Sequence, residues 1–398
     1  MKVLFICPRF PYPTLKGDQV IVYNRLRTIS NFHDIILLTF YENDDELLNL
    51  NKIRDFCEEV YTVKKSKSES YLGIIKGIIS NLKPMQANYY SSNKFRTILL
   101  NLIQEKKVDL IHVFLLRLIE HTREIKKIPI ILEAIDSMQL NISRRVNFEK
   151  GLKKLIFKEE LRRIKKCERF IGNKVEHILV VANEDKKNFF TDNITVIPNG
   201  VNQEEFYPAA KKENNHRVVF SGNMGYAPNI HAIEWFVKNC FPYIKSKNEN
   251  IMLYIVGGNA SKKIESFHDG RNIIVTGYVD SMGDFLRTCD VAVAPMQSGS
   301  GMQNKILEAM ASGLPVITTQ IGLGDIKAIP GKEIILRDDS REFSDAVLKC
   351  LEDVEYAKSL SEASIKFIAK NHSWEAGAQK INDIYFNVKK MGAYKDKV

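Results

Sequence analysis

The sequence predicts an α/β protein built from two Rossmann-like, doubly wound domains. Its 398 residues exceed what one ordinary hydrophobic core requires and are sufficient for two domains of conventional size. Short apolar runs alternate with helix-length segments, which is the pattern of parallel strands connected by helices. The alternation stops and begins again near the middle of the chain, so each half is expected to form its own sheet.

The first predicted domain covers residues 1–194 and contains apolar runs of strand length. They are Val3–Cys7, Ile35–Phe40, Leu110–Phe114, Ile130–Ala134 and His177–Val181. The second predicted domain covers residues 209–372, where the same kind of run recurs. These runs are Arg217–Ser221, Met252–Val256, Ile273–Thr276, Val291–Ala294 and Pro315–Thr318.

Two further segments complete the predicted organisation. Residues 195–208 contain a Pro-Asn-Gly turn and end at a proline, which is typical of a connector between domains. Residues 373–398 form an amphipathic helix that could pack back towards the N-terminal domain. Open α/β sheets bind ligands beyond the carboxyl ends of their strands. A short connector therefore predicts two domains that face each other across a cleft, with the site in that cleft.

The composition is that of a globular protein, with 44% apolar and 27% charged residues. The six cysteines are far apart, without a C-x-x-C pair or nearby histidines, which predicts reduced thiols and no metal site. The first apolar run is too short for a signal peptide, and no run is long enough to span a bilayer. We therefore expect a cytoplasmic protein.

Excess positive charge indicates an anionic partner. The net charge is +10, the pI is near 9.1, and residues 144–174 alone hold twelve Lys and Arg against four Glu. Apolar residues recur in this segment at helical spacing, which predicts a basic amphipathic helix. It could contact the anionic inner face of a membrane as a peripheral site, or it could pack on its own domain with a solvated outer face. A nucleic-acid partner is not expected, because the charge is confined to one helix without interleaved aromatic residues.

A glycine-rich loop gives the strongest local signal for a ligand. The segment Ser298–Val316 follows the predicted strand Val291–Ala294 and begins Ser-Gly-Ser-Gly-Met-Gln before a helical pattern. Backbone N–H groups at the start of such a helix can bind a diphosphate, because the glycines leave them accessible. Lys305 and Glu308 share a face of this helix, so Lys305 could bind phosphate while Glu308 accepts hydrogen bonds from ribose hydroxyls. The alternative is a solvated Lys/Glu face without a ligand.

Two stretches of the chain resemble a known family. Residues 304–319, Asn-Lys-Ile-Leu-Glu-Ala-Met-Ala-Ser-Gly-Leu-Pro-Val-Ile-Thr-Thr, and residues 196–202, Val-Ile-Pro-Asn-Gly-Val-Asn, are similar to the retaining family-4 glycosyltransferases of the GT-B fold. The resemblance covers essentially the whole chain. Residues 11–18 and 221–229 resemble a bacterial branch active in exopolysaccharide and cell-surface polysaccharide assembly.

The resemblance implies an enzyme that moves a sugar, with retention, from a nucleotide-sugar donor to a glycan or lipid-linked acceptor. It implies that the donor nucleotide lies against the C-terminal domain, with Glu308 on the ribose, and that the N-terminal domain is on the acceptor side. No metal is expected, because no D-x-D-like pair follows a strand near the phosphate site, and no cofactor is expected besides the nucleotide-diphosphate sugar as co-substrate. The predicted contacts of this loop and helix are Ser300, Gly301, Met302, Gln303, Asn304, Lys305 and Glu308.

Two positions depart from the family pattern. Ser300 stands where the wider family has a second acidic residue, eight positions before Glu308. The segment Gly222–Asn229 also lacks the arginine and lysine that many members carry there. Lys305 is therefore the favoured cation for the diphosphate.

Two strand-to-helix turns are further candidates for binding. Gly222 and Asn223 follow a predicted strand, so a substrate could approach the backbone closely there. An ordinary turn with Asn229 as the helix N-cap explains these residues equally well. Gly17 and Asp18 pose the same question in the first domain, and the resemblance favours a position in the cleft.

Asp136 is the candidate catalytic residue. It follows the run Ile130–Ala134, where members of the family carry a polar residue close to the reacting sugar carbon, and it could orient or deprotonate the acceptor hydroxyl. The segment Asp136–Gln139 also fits a capping box with Asp136 at the N-cap of a helix, and both interpretations stay open. His112, which follows another strand, is interpreted as a structural histidine.

Other functions fit these residues less well. A nucleotide-sugar epimerase of the same fold is expected to show more histidine and carboxylate chemistry, and a pyridoxal phosphorylase needs a Schiff-base lysine environment. A dehydrogenase is disfavoured because no G-x-G-x-x-G follows the first strand. A non-catalytic protein that binds sugar nucleotides stays an alternative, and a measurement of turnover distinguishes it from the transferase.

Overall fold

We describe the fold from a computed structural model, which covers residues 1–14, 16–66, 70, 73–75, 77, 83–209, 215–299 and 302–395. The chain forms two compact units, one made of Met1–Pro198 with Trp374–Val398 and the other of Asn199–Ser373. Each unit is built around its own parallel sheet, as the alternating pattern of the sequence predicts. Within the residues covered, no helix combines the length and the apolar character needed to cross a bilayer.

A parallel sheet, seven-stranded within the described residues, forms the centre of the first unit, in the spatial order β3-β2-β1-β4-β5-β6-β7. Its strands are β1 (Lys2–Cys7), β2 (Asp34–Tyr41), β3 (Glu59–Lys64), β4 (Leu110–Phe114), β5 (Ile130–Ile135), β6 (His177–Val180) and β7 (Ile194–Val196). The predicted runs do not include β3 and β7. Strand β3 mixes polar with apolar residues at the edge of the sheet, and β7 is only three residues long.

Helices cover both faces of this sheet. They are α1 (Gly17–Ile29), α2 (Leu50–Arg54), α3 (Met85–Tyr89), α4 (Asn93–Glu105), α5 (Met138–Phe148), α6 (Gly151–Ile171) and α7 (Asn183–Lys186), with 3-10 helices at Asp44–Asn49 and Leu116–Thr122. Side chains alternate between the faces along β1, so Leu4 and Ile6 pack in one apolar cluster while Val3 and Phe5 pack in another. Burial on both faces is what a doubly wound parallel sheet requires.

The second unit repeats this plan with a sheet that, in the described residues, has six strands in the order β10-β9-β8-β11-β12-β13. The strands are β8 (Arg217–Ser221), β9 (Met252–Val256), β10 (Ile273–Gly277), β11 (Val291–Ala294), β12 (Val316–Thr318) and β13 (Ile335–Leu336). The helices that follow are α8 (Ala227–Asn239), α9 (Phe241–Lys247), α10 (Lys262–Glu265), α11 (Met282–Arg287), α12 (Asn304–Ala311), α13 (Gln320–Leu323), α14 (Ser340–Glu352), α15 (Val354–Asn371) and α16 (Trp374–Lys395). The last of these, α16, is part of the first unit.

A buried charged network lies beneath α16 in the first unit. Arg25 donates two hydrogen bonds to one carboxylate oxygen of Glu133, at 3.1 and 2.8 Å. The other oxygen of Glu133 lies 3.0 Å from His112 Nε2, and His112 Nδ1 is 2.5 Å from the Tyr385 hydroxyl of α16. Trp374, at the start of α16, lies over the Arg25 guanidinium. These fully buried contacts join α16 to the sheet and give His112 a structural position.

Candidate functional site

The loop after β11 leads into α12 and forms the centre of the candidate site in the second unit. Two threonines at the end of β12 fix the start of this loop. Thr318 Oγ1 donates a hydrogen bond to the carbonyl of Ala294 (2.8 Å), and Thr319 Oγ1 donates one to that of Met296 (2.6 Å). Further along, Met302 is half-buried against the apolar cluster beneath α12. The loop therefore starts from a fixed position at the carboxyl end of β11.

Helix α12 starts at Asn304 without a side-chain cap. Gln303 occupies the N-cap position, and its side chain makes no capping hydrogen bond. Asn304 Oδ1 accepts a hydrogen bond from Asn199 Nδ2 (2.9 Å), which joins the helix to the Pro-Asn-Gly turn. Because the Gln303 side chain does not cap the helix, it does not neutralise the positive end of the helix dipole, and an anion is favoured there. The predicted contacts Ser300 and Gly301 lie outside the described residues.

The Lys305 ammonium is held inside the second unit, next to β8. Its Nζ donates a hydrogen bond to Asn229 Oδ1, lies 3.8 Å from Met296 Sδ and is 4.5 Å from the centre of the Phe220 ring. Burial lowers the pKa of Lys305 to about 7, although the negative charge of Glu308 opposes this shift. A phosphate group next to Nζ would stabilise the charged ammonium, because it supplies a strong ionic hydrogen bond.

Glu308 lies one turn further along α12 and is half-buried. Burial raises its pKa to about 7, the nearby carboxylate of Glu205 adds to the shift, and Lys305 opposes it. The Glu205 carbonyl accepts a hydrogen bond from Arg287 Nη1 (2.8 Å), which holds this segment against α11. No side chain among the described residues donates a hydrogen bond to the Glu308 carboxylate, so its oxygens can accept hydrogen bonds from ligand hydroxyls.

Gly222 and Asn223 form the turn between β8 and α8. Gly222 has a φ of 145°, and a Cβ at this position would lie 2.9 Å from Asn229 Nδ2 and 3.3 Å from Lys305 Nζ. A larger residue would therefore displace both side chains. The N-cap of α8 is Tyr226, so the interpretation of Asn229 as the cap is wrong: it is the third residue of the helix. Its Nδ2 instead donates a hydrogen bond to the Asn223 carbonyl (2.9 Å), which joins the turn to Lys305.

In the first unit, Gly17 and Asp18 begin α1 beyond the carboxyl end of β1. Asp18 forms an ion pair with Arg9, which lies two residues after the end of β1. Apart from the two chain neighbours of Gly17 and the backbone of α1, no heavy atom of the described residues lies within 4 Å of where a Cβ on Gly17 would be. Packing therefore does not require glycine at position 17, and the space in front of it can admit a ligand.

Asp136 is half-buried at the end of β5, directly after Ile135, whose φ is 69°. A positive φ is unfavourable for a β-branched residue, and such strain is typical of functional positions. The capping-box interpretation of Asp136 is wrong, because Ser137 is the N-cap of α5 and its Oγ accepts a hydrogen bond from Leu140 N (3.3 Å). Asp136 Oδ2 accepts a hydrogen bond from Asn141 Nδ2 (2.5 Å).

A second carboxyl group lies close to Asp136. Glu168 of α6 accepts hydrogen bonds from Ser137 Oγ (2.8 Å) and from Gln139 N (3.2 Å). Burial raises the pKa of Glu168 to about 7, and the charge of Asp136 contributes to this shift. The sequence does not reveal this neighbour, because Glu168 lies on a different helix 32 positions away.

The structure divides the predicted site residues between the two units. Those brought together in the second unit are Gly222, Asn223, Met302, Gln303, Asn304, Lys305 and Glu308. Gly17, Asp18 and Asp136 lie at the carboxyl edge of the sheet in the first unit. In the part of the chain that the structure describes, no group of His, Cys, Asp and Glu side chains could hold a metal ion.

The second unit matches a known family in sequence. Residues 215–353 match the sequence profile of the family described as Glycosyl transferases group 1. Over 393 residues the chain is 21% identical to an uncharacterised 44.6 kDa protein in the cps region of Klebsiella pneumoniae. This alignment covers 93% of this chain and 96% of that protein. Over 213 residues it is 25% identical to LpsB, the lipopolysaccharide core biosynthesis mannosyltransferase of Rhizobium meliloti, covering 48% of this chain and 60% of LpsB.

The fold is also that of solved structures. Anabaena Alr3699/HepE, crystallised in complex with UDP and glucose, has a TM-score of 0.66 to this chain at 13% identity, over 96% of this chain and 98% of that one. This similarity confirms the predicted fold class of two Rossmann-like domains. The family match in the second unit confirms the predicted enzyme class, so the chain is a glycosyltransferase. Membership of family 4 and retention of configuration stay predictions.

Proposed function

We propose that the second unit binds a nucleotide-diphosphate sugar, with Glu308 on the ribose and Lys305 on the diphosphate, for transfer of the sugar to a glycan or lipid-linked acceptor. The proposal rests mainly on the burial of these two charged side chains on α12. Burial pushes both pKa values towards about 7, so both ionised forms are poorly solvated in the ligand-free protein. Ribose hydroxyls supply hydrogen-bond donors to the Glu308 carboxylate, and phosphate oxygens supply Lys305 with a negatively charged acceptor, which the neutral Asn229 amide is not.

Asn229 acts in this proposal as a positioning residue for Lys305. Its side-chain oxygen accepts from Lys305 Nζ, while its side-chain nitrogen donates to the Asn223 carbonyl. This contact supports Lys305 as the cation that replaces the basic residues absent from the segment Gly222–Asn229. Ser300, Gly301, Gln303 and the start of α12 would complete the phosphate site through backbone N–H groups.

In the first unit, we propose that Asp136 orients or deprotonates the acceptor hydroxyl. The strained φ of Ile135 supports this role, because it sets the position of a polar side chain just after a buried strand. The hydrogen bond from Asn141 fixes the orientation of the Asp136 carboxylate, and a carboxylate positioned in this way can act as a general base. Gly17 and Asp18 are proposed to line the same edge.

We further propose a retaining transfer in the assembly of bacterial surface polysaccharide or another glycan. Support for the pathway comes from the names of two relatives, one for the cps region and one for lipopolysaccharide core biosynthesis. The complex of Alr3699/HepE with UDP and glucose makes UDP-sugars the first donors to test. We propose that no metal and no further cofactor is required, since Lys305 and loop amides can hold the diphosphate.

Helix α6 is proposed as a peripheral contact with anionic membranes. Leu152, Leu155 and Ile156 in its first half are 73%, 62% and 43% exposed. They stand among exposed or half-buried lysines, including Lys153 and Lys154. Exposed apolar side chains next to lysines are the combination that inserts at the surface of an acidic bilayer. A nucleic-acid partner is not part of the proposal.

The experiment that tests the proposed function begins with a thermal-shift panel of UDP, GDP, ADP and their sugars. Nucleotides of one base should raise the melting temperature, and the shift should grow with the logarithm of the nucleotide concentration. The matching nucleotide sugar, supplied with candidate acceptors, should then yield a product whose anomeric configuration equals that of the donor by NMR. Nucleotide binding without turnover would indicate a non-catalytic protein, and no binding by any nucleotide would contradict the proposal.

A further inference from the structure

A charged side chain follows each of four neighbouring strands at the carboxyl edge of the first sheet. In spatial order these residues are Lys65 after β3, Glu42 after β2, Arg9 after β1 and Arg117 after β4. Open α/β sheets bind ligands at this edge. Arg9 and Arg117 both lie close enough to Lys65 to lower its pKa, so the three cations form one cluster. We refer to Arg9, Lys65 and Arg117 as the edge cations.

Two of the edge cations already have acidic partners. Arg9 is paired with Asp18 of α1. Lys65 is buried, with its Nζ 3.9 Å from a Glu42 oxygen and over the faces of two tyrosine rings of the α3 region, at 3.4 and 4.1 Å from their centres. These acidic partners partly compensate the charges of Lys65 and Arg9. The third member of the cluster has no such partner among the described residues.

Arg117 is that third member. Its guanidinium lies 5.3 Å from the centre of the Tyr90 ring, which it shares with Lys65, and among the described residues no carboxylate pairs with it. Its Nε is buried and has no hydrogen-bond partner. A buried donor without an acceptor is costly, so the site is completed by a ligand that brings oxygen acceptors.

The backbone also positions Arg117 in a special way. Leu115, directly after β4, has a φ of 71°, a conformation that leucine rarely adopts. This turn starts the 3-10 helix that carries Arg117. The adjacent strand β5 ends at Ile135, which also has a positive φ, and Asp136 follows it. Neighbouring strands are about 4.8 Å apart, so Arg117 and Asp136 belong to adjacent positions on the same edge.

We propose that Arg117, supported by Arg9 and Lys65, binds an oxyanion of the acceptor, a phosphoryl or carboxylate group, at the carboxyl edge of the first sheet. This inference rests on the proposed function in that it assigns the ligand to the acceptor. A guanidinium donates two parallel hydrogen bonds to either group. Binding the anion at Arg117 places the remainder of the acceptor towards Asp136 on the next strand. The acceptor is therefore an acidic sugar or a sugar attached to phosphate.

The test uses the full-length protein saturated with the nucleoside diphosphate found in the panel, so that phosphate probes cannot occupy the donor site. Calorimetry then measures binding of glucose 1-phosphate, glucuronate and neutral methyl glucoside. A further arm uses phosphatidylcholine vesicles with and without a prenyl phosphate, which distinguishes a lipid-borne phosphate from a soluble one. At least one anionic probe should bind about tenfold more tightly than its neutral counterpart, and added salt should weaken it.

The variants locate the anion. Arg117→Gln should weaken binding of that probe about tenfold or more. Arg117→Lys should retain part of the affinity, because lysine keeps the positive charge but cannot donate the two parallel hydrogen bonds of a guanidinium. Arg54→Gln, an exposed arginine of α2, is the matched control and should bind like wild type. Melting temperatures and nucleotide binding, measured in parallel, show that each variant is folded.

Equal binding of anionic and neutral probes by wild type, or undiminished binding by folded Arg117→Gln, would overturn the proposal. The salt dependence in wild type needs no variant, so a poorly folded Arg117→Gln protein leaves the test intact. The proposed function has a separate readout. If no nucleotide binds, the donor assignment fails, while the anionic probes still report on the first unit.

Discussion

Replacing Lys305 by methionine tests the phosphate site of the second unit without adding bulk. In the ligand-free protein this change removes a buried cation with a lowered pKa, which favours folding, and leaves Asn229 Oδ1 without its donor, which opposes it. An unsatisfied buried acceptor costs about 1–3 kcal/mol. Because the two effects oppose each other, we expect the free energy of unfolding to change by no more than about 2 kcal/mol.

Binding should respond much more than stability. Lys305 can donate one or two ionic hydrogen bonds to a diphosphate, each contributing about 1.5–3 kcal/mol. Loss of one such bond corresponds to about a 10- to 150-fold weaker affinity for the nucleoside diphosphate. The nucleoside itself carries no phosphate, so its affinity should be unchanged. The exposed Lys366→Met of α15 is the matched control.

The pH dependence gives an independent signature of Lys305. Its pKa of about 7 means that the ammonium loses its proton as the pH rises above neutral in the ligand-free protein. A bound diphosphate favours the charged form, so binding takes up a proton, and affinity should fall as the pH rises from about 7 to 9. The Met variant should lack this dependence. Calorimetric titrations of the nucleoside diphosphate and of the nucleoside measure both effects. A folded Lys305→Met protein with wild-type affinity for the diphosphate would show that Lys305 does not bind phosphate.

Further predictions concern Glu308, Asp136, divalent metal ions and α6. Glu308→Gln should weaken the nucleoside and the diphosphate alike, by about 1.5–3 kcal/mol, because it acts on the ribose; equal binding by calorimetry would remove Glu308 from the site. In the ligand-free state Glu308 binds its proton more tightly when folded, so wild-type stability should fall as pH rises from about 4.5 to 7, and denaturant melts of Glu308→Gln should show less of this fall. Asp136→Asn should keep its melting temperature and donor affinity but lose turnover by about 100-fold or more, and undiminished turnover would exclude Asp136 from proton transfer. Chelator should leave activity intact, and loss restored by Mn²⁺ or Mg²⁺ would show a metal requirement. Vesicle sedimentation should show salt-sensitive binding to anionic but not neutral lipid, and Leu155→Ser should weaken it; equal binding to both lipids, or to neither, would leave α6 as a structural helix.

The sheets could be predicted, and a donor site could be proposed, because the signals for both are local. Strands of a doubly wound sheet are buried on both faces, so they appear as continuous apolar runs between helices. The loop before α12 combines glycines with a lysine and a glutamate on one helical face, and these features lie within about three turns of chain. The fold confirmed by the structure follows from such local periodicity.

The partners of the site residues could not be predicted, because they come from distant parts of the chain. Asn229 contacts Lys305 across 76 positions, and neither residue type implies the other. Arg117 and Lys65 meet only through the Tyr90 ring, which a pattern of charges does not reveal. Sheet order brings these residues together, and sheet order is a property of the whole domain.

The capping interpretation of Asp136 fails because tertiary contacts decide where α5 begins. Asp and Ser are both good N-cap residues, and either could start α5. Ser137 is selected because tertiary contacts fix it: its N–H donates to Asp185 (2.7 Å) and its Oγ donates to Glu168 (2.8 Å). Asp185 and Glu168 lie on other helices, so the sequence near Asp136 does not contain the information that decides the helix start.

A crystal structure of the protein with the nucleoside diphosphate that raises its melting temperature would show directly whether Glu308 and Lys305 hold the donor. We expect ribose hydroxyls within hydrogen-bond distance of the Glu308 carboxylate, and phosphate oxygens at Lys305 Nζ and at the start of α12, with Asn229 still in contact with Lys305. A nucleotide that binds elsewhere on the protein, or in this pocket with neither contact, would contradict this expectation.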